Sequence, residues 1–191
     1  MSRTGLIRDL HPAGAGRFWL LAVLAIVLIV VGWGLGAAVA AIMALLAFCH
    51  YRMASRPDGA SSAVFAPMDG RILLSGRATP PCAHDTAYRV RLRGRLTDSR
   101  MIQSPVTGTV RQAGLRDGIV VEQQDGSRVH IAIPNGWFGL RGRVLTFAGQ
   151  SVAAGDPLAV AAPGGVTDMY LPFGNGRISA GRTVLSGQAL L

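Results

Sequence analysis

The ten residues from Gly149 to Leu158 have the sequence GQSVAAGDPL, and the ten from Gly181 to Leu190 have the sequence GRTVLSGQAL. Both stretches follow one pattern, G-x-x-V-x-x-G-x-x-L, and an internal repeat of this kind marks a repeated structural unit. The glycines suit turns that need a positive φ or a close approach of two backbones, while the valine and leucine return to a core. Each stretch therefore predicts a turn that feeds a short strand.

A second repeat pairs residues 66–72, APMDGRI, with residues 104–110, SPVTGTV. Proline cannot donate to a strand ladder and glycine permits a turn, so each unit also predicts a turn followed by a strand. Such paired turns resemble the barrel-sandwich fold of biotinyl and lipoyl carrier domains. A carrier needs a lysine to hold its prosthetic group, and every basic residue in this chain is arginine, so the carrier function is excluded while the fold is expected.

The rest of the chain after residue 57 predicts an all-β domain, because short alternating apolar segments are separated by Gly, Pro and Asp turns and no long helical period occurs. The predicted strands are Gly70–Leu74, Tyr88–Leu96, Gly108–Arg111, Gly118–Glu122, Arg128–Ile133, Arg143–Phe147, Leu158–Ala161 and Thr167–Leu171.

The segment Tyr88–Leu96, YRVRLRGRL, alternates with a strict period of two. This period directs Val90 and Leu92 to a core and turns the intervening arginines to the opposite face of the strand. That arginine face either meets solvent or lies against lipid phosphates. The four residues are Arg89, Arg91, Arg93 and Arg95.

An apolar stretch near the N-terminus, Phe18–Cys49, contains 32 residues without a charge. As one helix it would be about 48 Å long, whereas the hydrocarbon core of a bilayer is about 30 Å thick. The glycines of Gly32–Gly36 favour a break in the middle. We therefore expect a transmembrane or re-entrant helical hairpin, and a single tilted signal anchor is the alternative.

Arginines flank this stretch on both sides, at positions 3, 8 and 17 before it and at positions 52 and 56 after it. Basic residues on both flanks favour both ends on the cytoplasmic side of a cell inner membrane. The expected organisation is a cytoplasmic segment 1–16, a membrane hairpin 17–52 and a cytoplasmic β domain 57–191. The net charge of +9 predicts an anionic partner, and beside so apolar a segment it favours phospholipid over nucleic acid, for which no motif is present.

Three motifs, read in order, resemble the short bacterial phosphatidylserine decarboxylases, which also begin with a membrane hairpin. Residues 66–72 are similar to their S-P-A-D-G-x-V motif, and residues 98–110 occupy the place of D-V-H-V-N-R-x-P-x-x-G-x-V. Residues 164–172, GGVTDMYLP, occupy the place of the late F-G-S-R-x-D-V-Y-L-P motif. The resemblance covers nearly the whole chain.

The resemblance implies a site with an acid, a histidine and a Gly-Ser bond that cleaves itself to give a pyruvoyl group, which acts as an electron sink during loss of CO₂. Asp69 stands at the acid position, Arg100 at the histidine position, and Gly164 and Gly165 at the cleavage junction. Arginine cannot act as a base and glycine offers no hydroxyl, so no pyruvoyl cofactor is expected. Thr167 is the nearest hydroxyl.

The fold that placed the family's groups is expected to bring Arg100 and Gly165 near Asp69 still. Arg100 is then expected to pair with Asp69, and the alternative is that its charge meets a lipid phosphate or carboxylate. The four histidines show no metal-ligand spacing, so no metal is expected.

These features favour a membrane-anchored, non-catalytic phosphatidylserine decarboxylase homologue in phosphatidylethanolamine metabolism, one that binds or senses aminophospholipid. Membrane phospholipid is the expected partner, and a homo-oligomer is possible. One alternative is an active decarboxylase with an altered site, and a second is a membrane-anchored barrel-sandwich adaptor.

Overall fold

The computed structural model describes residues 10–53, 64–80, 87–95, 97–133, 135–172 and 178–190. The chain divides into two compact units, Met1–Met53 and Ala54–Leu191. The first is helical and the second is built from strands.

The helical unit consists of two helices, α1 (Pro12–Val30) and α2 (Gly34–Tyr51). The chain reverses between them at Gly32, whose φ of 81° lies in the left-handed region that favours glycine. The predicted break is therefore confirmed, although α1 begins at Pro12, inside the segment assigned to 1–16. Proline suits the first position of a helix, which accounts for the start at Pro12.

Small side chains on α2, namely Ala37, Ala40 and Ala44, are buried in this unit, while most of the large apolar side chains of both helices are exposed. The far ends of the helices meet, since the backbone N–H of His11 donates to the Tyr51 carbonyl over 3.1 Å. Of the described helices, α2 is long and apolar enough to cross a membrane, and the apolar stretch of α1 is shorter.

The second unit is β-rich, as predicted. Its described strands are β1 (Gly70–Ala78), β2 (Ala87–Arg93), β3 (Met101–Gln103), β4 (Gly108–Gly114), β5 (Gly118–Glu122), β6 (Arg128–Ala132), β7 (Arg143–Val144), β8 (Ser151–Val152), β9 (Pro157–Val160), β10 (Val166–Leu171) and β11 (Thr183–Val184).

These strands form two sheets within the described residues. The larger has the order β11-β1-β2-β10-β6-β5-β4-β8, and the smaller has the order β3-β9-β7. The larger sheet has an approximate internal symmetry. At one end the hairpin β1–β2 is flanked by the short strand β11, and at the other the hairpin β4–β5 is flanked by β8. Each hairpin carries a register shift at the equivalent place, after Ile72 in β1 and after Val110 in β4.

The two sequence repeats produce this symmetry. The amide of Gly181 donates to the Ile72 carbonyl over 2.7 Å, and the amide of Gly149 donates to the Val110 carbonyl over 2.7 Å. The second glycine of each repeat makes an equivalent bond. The amide of Gly187 donates to the Ala66 carbonyl, and the amide of Gly155 donates to the Ser104 carbonyl. Residues 181–190 therefore bind residues 66–72 through the same backbone contacts by which residues 149–158 bind residues 104–110.

The core lies between the two sheets and contains the apolar side chains that the alternating segments direct inward. Val90 and Leu92 of β2 are fully buried, as the strict alternation predicts, and so are Ile72, Ile131 and Leu171. Burying one such side chain contributes roughly 1.5–3 kcal/mol. The outward residues of β1 and β2 are thereby fixed on the opposite surface, where the candidate site lies.

Candidate functional site: an arginine-lined cleft

An open cleft of about 320 Å³ lies on the surface of the β unit. Four of the side chains that line it are arginines, and none of the described residues that line it is acidic. The lining residues are Arg71, Leu73, Arg93, Gly94, Arg95, Arg100, Trp137 and Gly164. A concave surface lined by charges of one sign concentrates the field of those charges and attracts a ligand of opposite sign.

Arg100 is the buried member of this set, with only 7% of its surface exposed. Its Nε and Nη1 atoms have no hydrogen-bond partner in the described part of the chain. Burial lowers the pKa of Arg100 from its ordinary value, yet a guanidinium stays protonated at neutral pH. A buried positive charge therefore lines the cleft, and two of its nitrogens have no hydrogen-bond partner in the described residues.

Asp69 is also buried, and its carboxylate accepts hydrogen bonds from two backbone amides. Ser186 donates to Oδ1 over 2.7 Å and Ser99 donates to Oδ2 over 3.4 Å. The second bond fixes the residue directly before Arg100. Asp69 thus holds the segment that leads into the cleft.

The expected pair between Arg100 and Asp69 is not formed through Nε or Nη1 of Arg100, since neither atom has a partner in the described part of the chain. Two backbone N–H groups donate to the Asp69 carboxylate instead.

Gly164 and Gly165, the predicted cleavage junction, form a tight turn before β10. Gly164 has a φ of 68°, and the amide of Gly165 donates to the Ala162 carbonyl over 3.1 Å. The indole of Trp137 covers Gly164 so closely that a Cβ there would overlap the ring. Thr167, two residues on, is fully buried in β10 and its Oγ1 has no partner in the described part of the chain.

Four of the predicted site positions thus lie in the cleft or next to a residue that lines it. Arg100 and Gly164 line one cleft, Gly165 adjoins Gly164, and Asp69 binds the residue next to Arg100.

The four arginines of the alternating segment separate into two groups. Arg93 and Arg95 line the cleft. Arg91 instead forms a bidentate ion pair with Asp168 of β10, at 2.7 Å from Nε to Oδ1 and 2.6 Å from Nη2 to Oδ2. This hydrogen-bonded carboxylate raises the pKa of Arg91.

Arg89 lies opposite Tyr170 in the strand register, and its Nε is buried without a partner among the described residues. The four arginines therefore differ in their surroundings. The cause is that β10 pairs with β2 and brings an acid against its middle.

Four cleft residues are absent from the predicted site, namely Arg71, Leu73, Gly94 and Trp137. Arg71 alternates with the buried Ile72 in β1, so the period of the strand alone could have placed it on the outer surface. Trp137 belongs to a short 3₁₀ turn, Trp137–Gly139, which carries no periodic signal.

His130 lies in the middle of β6 and is buried. Its Nε2–H donates to the Asp117 carbonyl over 2.8 Å. A carbonyl only accepts, so the proton is on Nε2, and the buried Nδ1 has no partner in the described residues. Burial lowers the pKa of His130. In the described part of the chain, no three His, Cys, Asp or Glu side chains lie together as a metal site would need.

No known family model matches the chain. Among solved structures, the chain is similar to a glucose permease IIA from Mycoplasma capricolum. That likeness has a TM-score of 0.44 and 17% sequence identity, and it covers 67% of this chain and 92% of that chain. So distant a likeness gives no information about the function of this chain.

Proposed function

We propose that this chain is a membrane-anchored barrel-sandwich homologue of phosphatidylserine decarboxylase that binds the headgroup of an aminophospholipid and does not decarboxylate it. The observation that carries the proposal is the buried Arg100, which lines a cleft with three further arginines and has two nitrogens without a hydrogen-bond partner in the described part of the chain.

The cleft suits a phosphodiester or a carboxylate. Guanidinium groups bind both through paired N–H donors, and the absence of acids from the described lining leaves the positive charge uncompensated. The resemblance of motifs 66–72, 98–110 and 164–172 to the decarboxylase family supplies the class of lipid. An aminophospholipid such as phosphatidylserine carries both anionic groups.

The lack of catalysis follows from the residues at the junction. Gly165 has no hydroxyl to attack the carbonyl of Gly164, and Arg100 cannot take a proton from a nucleophile. Within β10, Thr167 is buried in a regular strand and is poorly placed to replace the missing hydroxyl.

The helical unit supports the anchor. Its two helices turn back at Gly32, and its described surface is largely apolar, as suits contact with lipid chains. In the proposal the hairpin sits in the cell inner membrane and the β unit faces the cytoplasm, near the anionic headgroups that the net charge of +9 would attract.

The test uses the full chain in zwitterionic detergent, titrated with short-chain phosphatidylserine and, in parallel, phosphatidylcholine, glycerophosphoserine and inorganic phosphate. Arg100→Met should weaken binding of phosphatidylserine about tenfold or more, as loss of a charge-assisted bidentate contact does. Arg116→Met is the matched control, because Arg116 is exposed in the β4–β5 turn, away from the lining residues. Binding by inorganic phosphate alone would identify a phosphate site and contradict the lipid assignment. Equal loss in both variants would refute the cleft as the site.

The same preparation, incubated with phosphatidylserine, should stay one polypeptide and release no CO₂. Release of CO₂ or a cleaved chain would establish the active decarboxylase instead.

A further inference from the structure

The short turn at the rim of the cleft exposes an unusual run of apolar side chains. Trp137 is 44% exposed, Phe138 is 100% exposed and Leu140 is 48% exposed. Together with Gly139 they form four consecutive exposed residues, here named the rim turn.

The rim turn is held in place by its backbone. The amide of Trp137 donates to the Pro163 carbonyl over 2.8 Å, and the amide of Gly136 donates to the Leu140 carbonyl over 2.7 Å. A Cβ on Gly136 would overlap the Pro163 carbonyl. The turn is thus fastened to the segment before β10, and its large side chains project because the fold leaves them no core to enter.

Phe138 is held in an unfavourable conformation. Its φ of 55° and ψ of 27° are left-handed, and among the described residues it is the non-glycine residue with a positive φ. A side chain with a Cβ avoids this region. Full exposure gives Phe138 no burial to offset the strain, and strained residues of this kind cluster at binding sites.

Charge around the rim turn is positive. Arg141 and Arg143 follow it and are exposed, and Trp137 itself also lines the arginine cleft. Exposed Trp, Phe and Leu beside arginines are the side chains that enter the interface of an anionic bilayer, where the aromatic rings sit at headgroup level and the guanidinium groups meet phosphates.

We propose that the rim turn inserts into the surface of an anionic bilayer and so holds the mouth of the arginine cleft at the level of the headgroups. A bilayer fits better than a protein partner because the same chain carries an apolar helix able to cross a membrane, and because the charges beside the turn are all positive. The inference rests on the membrane association in the proposed function.

The experiment uses full-length protein reconstituted into vesicles of phosphatidylglycerol and phosphatidylcholine, with and without bromine on the acyl chains. The chain has three tryptophans, Trp19, Trp33 and Trp137. Trp19→Phe with Trp33→Phe leaves Trp137 as the single reporter. Trp19→Phe with Trp137→Phe leaves Trp33 as the reporter of the helical unit.

A matched control replaces all three tryptophans with phenylalanine and adds Phe147→Trp. Phe147 is 67% exposed, but it lies in the turn between β7 and β8, which has no charged residue.

Trp137 should show blue-shifted emission and quenching of about twofold by the brominated chains, as a shallowly inserted ring does. Phe138→Asn in that background should remove most of the quenching, and the backbone should be kept because Asn tolerates a positive φ. The Phe147→Trp reporter should be unaffected.

Quenching of Trp33 without quenching of Trp137 would overturn the inference and leave the anchor intact. Failure of both reporters would overturn the anchor and the inference together. Equal quenching of the Phe147→Trp reporter would also overturn the inference, because insertion into the bilayer would then not be specific to the rim turn. A blue shift of Trp137 that depends on protein concentration in lipid-free detergent would assign the rim turn to a second copy of the chain.

Discussion

The indole ring of Trp137 occupies the space in which a Cβ of Gly164 would stand. This contact joins the turn at the cleft rim to the glycine pair before β10, and Gly164 also has a φ of 68°. Position 164 therefore requires glycine for two reasons, the left-handed backbone conformation and the lack of space for a side chain.

Gly164→Ala should destabilise the β unit by about 2–4 kcal/mol, because the strain of a positive φ adds to an overlap that must displace Trp137. Gly126→Ala is the matched control. Gly126 has a φ of 83° but no atom within 4 Å of an added Cβ, so it should lose only about 1 kcal/mol. Urea unfolding followed by Trp137 emission measures both. Equal losses would show that the ring moves aside freely.

Arg100→Met should make the unliganded protein more stable, by about 1 kcal/mol or more, because an apolar side chain replaces a buried and incompletely paired charge. Binding sites commonly carry such a cost to stability. The exposed Arg116→Met should leave the thermal midpoint nearly unchanged. A fall in the midpoint for Arg100→Met would mean that the guanidinium already has a stabilising partner.

The ion pair of Arg91 with Asp168 should matter more to stability than the exposed pair of Arg128 with Glu122. Asp168 is nearly buried and Arg91 is about one-third exposed, with side-chain exposures of 6% and 35%. Arg91→Met should cost about 1–2 kcal/mol, since a carboxylate is left without its partner but solvent reaches part of the site. Arg128→Met should cost little, because Arg111 also binds Glu122. The denaturant midpoints of the two variants make the comparison, and similar midpoints would contradict it.

The sequence was sufficient for the parts of the fold that depend on local geometry. The four glycines of the G-x-x-V-x-x-G-x-x-L repeats, at 149, 155, 181 and 187, all have a positive φ in the structure. The valines at 152 and 184 are buried, as expected. The repeat predicts these features because a turn is determined by a few neighbouring residues.

The remaining features of the fold depend on contacts between segments that are distant in sequence, and local patterns do not predict such contacts. The sequence pattern does not predict strand β3, because Met101, Ile102 and Gln103 are all buried and do not alternate between apolar and polar. Asp168 contacts Arg91, 77 residues away in sequence, only because β10 pairs with β2. No local sequence pattern near Arg91 predicts this contact. The burial of Arg100 and the strained Phe138 likewise follow from packing between distant segments.

His130 should make stability depend on pH below about 6.5, the ordinary pKa of an unfolded histidine. Burial lowers the pKa of the folded imidazole. Between the folded and unfolded values the unfolded chain binds more protons, so stability rises with pH and is lost as the pH falls below the unfolded value. His130→Gln should flatten this part of the curve of unfolding free energy against pH. An unchanged slope in the variant would assign the dependence to other groups.

Under the proposed function, Gly164 and Gly165 stand where a phosphatidylserine decarboxylase would cleave itself. Arg100 and Gly164 already line one cleft, and Asp69 binds the residue before Arg100. If this geometry descends from a processing site, restoring the missing groups should restore the reaction. Gly165→Ser supplies a hydroxyl next to the Gly164 carbonyl, and Arg100→His supplies a base that can take its proton.

The double variant should therefore convert slowly into two fragments, residues 1–164 and residues 165–191, while the parent stays one polypeptide. Intact mass spectrometry after prolonged incubation measures this. Gly165→Ser alone and the double variant with Asp69→Asn are the controls. Both should stay whole, because a serine without its base, or without the acid that holds the site, is a poor nucleophile. A double variant that remains uncleaved while still folded, by its unfolding transition, would mean that the cleft was built for binding and that its likeness to the processing site is one of motif order alone.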